Sequence, residues 1–422
     1  MKYLFVHQNF PGQFLHLVRH LAKSKRHELV FITEPNPNHI PGVRKLPYRI
    51  PRPGAADAHP GALELDAALR RADVVAYAAA NLKRLGFTPD IIIGHHGWGE
   101  LLNLADVWPG VKLLGYFEFF YQTDGIDVGF DPEFPIAISE FPRIRAKNAI
   151  NHLALDLSVR NAGIHGQTPT RWQLSTYPGW AHPHISLLPE GVDLSICAPR
   201  PPGRITVKSP SGHRPFKIAD WVISAGEKLV TYVARDLEPY RGFHIFMRAL
   251  PHLLRQRSDL RVVIVGGDGV SYGAAPPQGT WRKSMLAELA GQIDPSRVLF
   301  PGRVDYNAYL GLLQRSDAHV YLTYPFVASW SLREALACGC AVIGSDTQPV
   351  REFIRHRGNG LLTSFFDPEA LARKVLEVLE DTALATKLRT AARRYAERHL
   401  AMETYLAAYE ALISGLVGKQ AE

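Results

Sequence analysis

The sequence predicts an α/β protein of two doubly wound parallel-sheet halves that face each other across a cleft. Three observations predict it. Short apolar runs alternate with helical patterns along the chain, which calls for a parallel sheet covered on both faces. The alternation stops once, over the Pro-, Gly-, Ser- and Arg-rich stretch APRPPGRITVKSPSGHRP (198–215), and then restarts. At 422 residues the chain is too long for a single core.

The first half begins with the apolar strand KYLFVH (2–7), the turn-like QNFPGQ and a helical pattern over 14–23. HELVFIT (27–33) reads as the next strand, and residues 65–86 have helical periodicity. DIIIGHH (90–96) is a strand ending in polar residues, VKLLGYFEFFY (111–121) is another, and 143–159 reads as one helix. NAGIHG and HISLLPEG are short segments before the break. Beyond it come strands KLVTYVAR (228–235), RVVIVGG (261–267), RVLFPG (297–302), AHVYLTYP (318–325) and AVIGSD (341–346). Helices over 242–255, 281–290 and 306–315 lie between them, and more helices run from Pro368 to the end. The division expected is a domain over 1–200, a linker over 201–227, a domain over 228–395 and a final helix over 396–422.

Composition narrows the function classes. With 46% hydrophobic and 21% charged residues the chain is an ordinary globular protein, and it has no apolar run long enough to span a bilayer. MKYLFVHQNFPG reads as a first strand and not as a secretion signal. Three cysteines, Cys197, Cys338 and Cys340, without a ligand-spaced Cys or His cluster argue against a disulfide framework or structural zinc, so a reducing cytoplasm is expected. A net charge of +8 favours phosphates or an anionic membrane face. No aromatic-interleaved basic stripe points to nucleic acid. The basic residues of 16–27, around the apolar Phe14, Leu17, Val18 and Leu21, fit a helix lying on anionic lipid or the solvated face of an ordinary α/β helix.

In doubly wound sheets ligands bind outside the carboxyl ends of the strands, so the residues just after strands carry the information. YPFVASWSLREALACGC (324–340) has two readings. Ser331 and Glu334 have the spacing of a capping box, with Gly339 stopping the helix. Equally, the helix start at Ser329, Trp330 and Ser331 offers free N–H groups to a phosphate, with Glu334 one turn in to grip ribose hydroxyls. In VARDLEPYRGF, Arg235 and Arg241 flank a strand-end turn and suit a diphosphate, or serve solubility or an ion pair between Arg235 and Glu238. VIVGGDG, with Gly266 and Asp268, lacks the full dinucleotide spacing and indicates that backbone or a ligand comes close. FPGRV places Arg303 after the next strand, where a base edge could be read. Gly12 suits a tight turn after the first strand. His95 and His96 of GHHGWGE point apart on an extended strand, so they fit packing or a substrate hydroxyl better than a shared metal.

VARDLEPYRGF, VIVGGDG, LFPGRV, SWSLREALACGCAVIGSDTQPVREFI and RGNGLL, in this order in two α/β halves, resemble the retaining family 4 glycosyltransferases. The resemblance implies the GT-B fold of two Rossmann-like domains, the first facing the acceptor and the second binding a nucleotide sugar. It places Arg235 and Arg241 on the diphosphate, the N–H groups of Ser329, Trp330 and Ser331 at the phosphates, Glu334 on the ribose and Gly12 in a loop closing on the donor. The final helix would cross back to the first domain. It further implies front-face displacement with retention, a glycan, lipid or small-molecule acceptor, polysaccharide or envelope glycan synthesis, no cofactor and no obligatory metal. The absence of an Asp-x-Asp sequence agrees with the last point. Two positions depart from the pattern. Phe326 stands where the family has the first acid of its glutamate pair, and Glu118 where it has a histidine beside the transferring centre. Glu118 could bind hydroxyls, steer a proton or be a structural acid. These departures keep open a non-catalytic sugar-nucleotide-binding protein, and another GT-B enzyme such as a nucleotide-sugar epimerase.

Overall fold

A computed structural model describes residues 1–50, 59–123, 125–161, 163–201, 205–207 and 221–418. They form two compact units, one of Met1–Glu190 together with the chain from Glu403 onward, the other of Gly191–Met402.

The first unit holds β1 (Lys2–Val6), β2 (Glu28–Thr33), β3 (Val43–Pro47), β4 (Ile91–His95), β5 (Lys112–Tyr116), β6 (Ile164–Thr168) and β7 (Ile185–Leu187). They make one parallel sheet in the order β3-β2-β1-β4-β5-β6-β7. Leu4, Val6, Val30, Ile32 and Ile92 are wholly buried, as expected of strands covered on both faces.

The second unit opens with a short antiparallel pair, β8 (Ile205–Val207) and β9 (Trp221–Ile223). β10 (Lys228–Asp236), β11 (Leu260–Gly267), β12 (Val298–Gly302), β13 (Ala318–Tyr321), β14 (Val342–Ser345) and β15 (Leu361–Thr363) follow. Their order is β12-β11-β10-β13-β14-β15, again all parallel. In both sheets the order reverses once, between β1 and β4 and between β10 and β13. Those two carboxyl-end switch points are where a doubly wound sheet offers a crevice.

Several boundaries differ from the sequence reading. The strand expected over 111–121 leaves the ladder at Tyr116, and the helix expected over 143–159 is two, Phe141–Ala146 and Ala149–Arg160. Asn148 stands at the break and bonds the backbone of Tyr121, so one side chain serves both irregularities. The strand expected over 318–325 ends at Tyr321. β3 and β15 are short and carry too little apolar alternation to stand out in the sequence.

Much of the expected linker, 202–204 and 208–220, lies outside the described residues. β8 and β9 pack on Leu229, Val263 and Leu312 and so belong to the second unit's core. The helix Leu15–Lys23 buries Leu17, Val18 and Leu21, and Phe14 before it is buried as well. Its apolar face is therefore spent on the core and is not available to lipid. Arg19, Lys23, Lys25 and Arg26 remain exposed. Among the described residues no helix is long and apolar enough to cross a membrane.

Candidate functional site

In the second unit the switch point is built around Arg241. β10 runs into a 3-10 turn over Pro239–Arg241, and Gly242 takes a left-handed conformation before the helix Phe243–Gln256. A Cβ at Gly242 would strike Leu322, so only glycine makes this turn. The Arg241 guanidinium is buried. Its Nη1 donates to Thr323 Oγ1 at 2.8 Å and to the Val327 carbonyl at 2.9 Å, and the group lies 4.8 Å from the centre of the Tyr272 ring. It thus ties β10 to the segment entering the helix Trp330–Ala337. Arg235 is exposed.

Two buried acids hold the neighbouring loop. Glu238, wholly buried, accepts from the N–H groups of Ser271, Tyr272 and Gly273 at 3.1, 3.3 and 2.9 Å. The ion pair with Arg235 weighed from the sequence is replaced by this backbone grip. Asp236 accepts from Ser271 Oγ at 2.6 Å and from Arg303 Nη2 at 2.8 Å. Burial alone would raise the Asp236 carboxyl, but the Ser271 hydroxyl and the Arg303 guanidinium outweigh it and leave it below its usual range. Arg303 is therefore an exposed side chain whose guanidinium is already paired with a buried carboxylate. Asp268 pairs with Arg282. Gly266 is close to protein rather than to open space, since a Cβ there would meet the Leu237 side chain at 2.6 Å.

The helix Trp330–Ala337 has Ser329 as its N-cap, and the Ser331–Glu334 capping box is not formed. The Ser329 N–H, expected to be free for a phosphate, instead donates to Tyr321 Oη at 2.8 Å, and the Ser329 and Ser331 hydroxyls bond each other at 2.6 Å. Glu334 turns to the helix Tyr306–Arg315: Oε1 accepts from Tyr306 Oη and Oε2 from Tyr309 Oη, each at 2.7 Å. Burial raises the Glu334 carboxyl while these phenols pull it down. At the far end Gly339 has a positive φ, its N–H bonds Leu336 O, and the Cys340 N–H bonds Ala335 O, a complete Schellman stop. Phe326 is buried among rings, with centroids 5.1 Å from Tyr272 and 5.6 Å from Tyr240.

In the first unit His95 closes β4, and Gly12 and Glu118 follow β1 and β5. Gly12 has φ +56°, and a Cβ there would press on the His7 ring at 2.8 Å. His7 Nδ1 accepts from the Asn9 N–H at 2.9 Å and His95 Nδ1 from the Gly97 N–H at 3.0 Å, so in the neutral rings the proton is on Nε2. The two rings are perpendicular with centroids 5.6 Å apart, and His95 Nε2 lies 3.5 Å from Glu118 Oε2. Burial, and next the charge of His95, depress His7 to about 3. His96 points the other way, packed on Phe117 and filling the space a Cβ on Gly115 would need; burial depresses it to about 3. Of the two histidines only His95 joins Glu118.

The loop carrying Glu118 is held by side chains. Gln173 Nε2 donates to the Glu118 carbonyl at 2.8 Å, Asn151 Nδ2 to the Phe119 carbonyl at 3.0 Å, and Thr176 Oγ1 accepts from the Phe120 N–H at 3.2 Å. The sequence reading missed His7, Tyr306 and Tyr309. A histidine closing an apolar strand and tyrosines three apart on one helix face were the available signals.

The chain matches the glycosyl transferase family 4 group over residues 25–197 and the glycosyl transferases group 1 over residues 213–397. It is 27% identical over 236 residues to the phosphatidyl-myo-inositol mannosyltransferase of Mycolicibacterium smegmatis, covering 53% of this chain and 56% of that protein. To the D-inositol 3-phosphate glycosyltransferase of Streptomyces coelicolor it is 26% identical over 223 residues, covering 50% of this chain and 46% of that one. The chain spans about half the length of the curated relatives it matches. Among solved structures, sucrose-phosphate synthase from Thermosynechococcus elongatus superposes with a TM-score of 0.71 at 17% identity over 100% of both chains. Anabaena HepE, solved with UDP-glucose, superposes with a TM-score of 0.66 at 16% identity, covering 98% of this chain and 100% of that one. These two share the fold, and the two family matches together run over most of the sequence: the chain belongs to the family 4 glycosyltransferases, with the GT-B fold.

Proposed function

We propose that the protein transfers a sugar from a nucleoside diphosphate donor to a glycan or lipid-linked acceptor, with retention at the anomeric carbon and without an obligatory metal. One observation carries the reading. Arg241 is anchored to the segment that starts the helix Trp330–Ala337, and the Glu334 carboxylate stands one turn inside that helix. Cation, helix-start N–H groups and carboxylate thus occur together, as a diphosphate with its ribose requires. Charge develops on the leaving diphosphate, so groups held in place before the reaction lower the barrier most. Arg241 and the Trp330–Ser331 backbone are so held, and the exposed Arg235 adds positive field. In the other unit, Glu118 with His95 at 3.5 Å is a carboxylate suited to an acceptor or donor hydroxyl.

The test is a thermal-shift panel of UDP, GDP, ADP and their common sugars on wild type and Glu334→Ala. A shift with one nucleotide, weakened in the variant, supports the reading. NMR of the product's anomeric configuration then tests retention, and activity after chelation tests metal independence. Conversion of the donor without an acceptor would favour an epimerase, and binding without sugar release a non-catalytic protein. A peripheral contact with an anionic membrane face would rest on the exposed Arg19, Lys23, Lys25 and Arg26 alone. Vesicle binding at low salt, lost when these are neutralised, tests it.

A further inference from the structure

We propose that Tyr306 and Tyr309 are positioning residues that hold the Glu334 carboxylate ready for a vicinal diol of the bound nucleotide; this rests on the donor-binding reading above. The two tyrosines are three residues apart on one helix face, with ring centroids 5.8 Å apart. Their hydroxyls go to different oxygens of one carboxylate, each at 2.7 Å. A carboxylate offers about four lone-pair sites, two per oxygen. With one site on each oxygen taken by a phenol, one on each remains. That residual pattern fits two adjacent hydroxyls, each donating to its own oxygen.

The arrangement around Tyr306 shows that its hydroxyl is turned inward. The residue is 50% exposed, yet the phenol proton goes to Glu334. Its oxygen lies 3.5 Å from Cys197 Sγ, so the thiol is the donor there. The phenol is therefore bound at both its donor and its acceptor side. Burial pushes Glu334 toward its neutral form, and the two phenols oppose that. Among the described residues Arg333, on its own helix, also acts on this carboxylate, and the Cys197 and Cys338 thiols feel its charge. Without the phenols the carboxylate would be free to rotate and would take up a proton more readily, and both changes weaken it as a double acceptor.

The opposite arrangement makes a distinct prediction. If the diol displaces the phenols, they compete with the ligand, and removing them tightens binding. Calorimetric titration with UDP, ADP and GDP and with their 2′-deoxy forms distinguishes the two, on wild type, Tyr306→Phe, Tyr309→Phe, the double variant and Glu334→Ala. Wild type should prefer the ribonucleotide by about tenfold or more, the size of a hydrogen bond to a charged group. Each single variant should reduce that ratio by about threefold, and the double variant should bring it to the Glu334→Ala value. Loss of fold would weaken both nucleotides alike and leave the ratio unchanged, and Tyr306→Phe, at a half-exposed ring, keeps the test open if Tyr309→Phe does not fold. An unchanged ratio in the folded variants, or tighter ribonucleotide binding, overturns the proposal. Binding by wild type without ribose preference also overturns it but leaves the donor reading standing. Absence of binding by every nucleotide overturns both.

Discussion

Asn148 bonds both backbone groups of Tyr121: its Oδ1 accepts from the N–H at 2.9 Å and its Nδ2 donates to the carbonyl at 2.7 Å. This side chain, with Asn151 and Gln173, replaces the sheet ladder that β5 loses beyond Tyr116. The Glu118 loop is thus ordered without being a strand. Asn148→Ala should cost about 2–3 kcal/mol, because two partly buried backbone groups lose partners. Urea denaturation reads the loss. Asn148→Asp keeps the acceptor only and should fall between the two.

Acid stability follows from buried histidines. Burial depresses His7 and His96 to about 3 and His319 to about 4. The unfolded chain binds these protons near pH 6.5 and the folded chain does not, so their contribution is full above pH 6.5 and is lost as pH falls below it. Glu100, raised by burial to about 7, acts oppositely, since its folded form keeps a proton that the unfolded form releases above about 4.5. Between pH 4.5 and 6.5 the histidines outnumber it, and stability should fall with acidification. In His7→Gln the slope over this window should drop by about 1.4 kcal/mol per pH unit, one proton's worth. Urea midpoints measured at pH 5 and pH 6 check it.

Phe326 is built into an aromatic cluster and not into an open wall. Phe326→Glu, which puts an acid at this position, should destabilise by about 3–5 kcal/mol, because it removes ring packing and buries a charge among Tyr240 and Tyr272. Phe326→Leu should cost about 1–2 kcal/mol. Equal melting temperatures for the two variants would show that the cluster opens easily.

All three cysteines are buried and free. Burial pushes Cys340 up to about 12, and the contact with Cys197 followed by burial raises Cys338. A bond from Cys338 lowers Cys197 despite its burial. Under native conditions at pH 8 a thiol reagent such as Ellman's should titrate almost none of them, and three after denaturation. If one reacts first on partial opening it should be Cys197, which mass spectrometry of the labelled protein identifies.

Strand–helix alternation was enough to predict two parallel sheets and most of their strands, β3 and β15 excepted, and with them the strand ends and following segments that carry Gly12, His95, Glu118, Arg241 and Glu334. These are local properties: buried strands are apolar without interruption, helices repeat every 3.6 residues, and turns need glycine where φ is positive. Glu334 was legible as a residue worth noting, but its partners were not. The spacing to Ser331 suggested a cap, whereas the carboxylate reaches tyrosines 25 and 28 residues away. The same limit applies to Glu238 gripping the 271–273 backbone, to His95 facing Glu118 while His96 fills the core, and to Asn148 interrupting a helix to serve a distant loop. Which of several possible hydrogen bonds a polar side chain makes depends on which backbone and side-chain groups the packed sheets bring within about 3 Å, a quantity fixed by three-dimensional packing and not carried by sequence spacing.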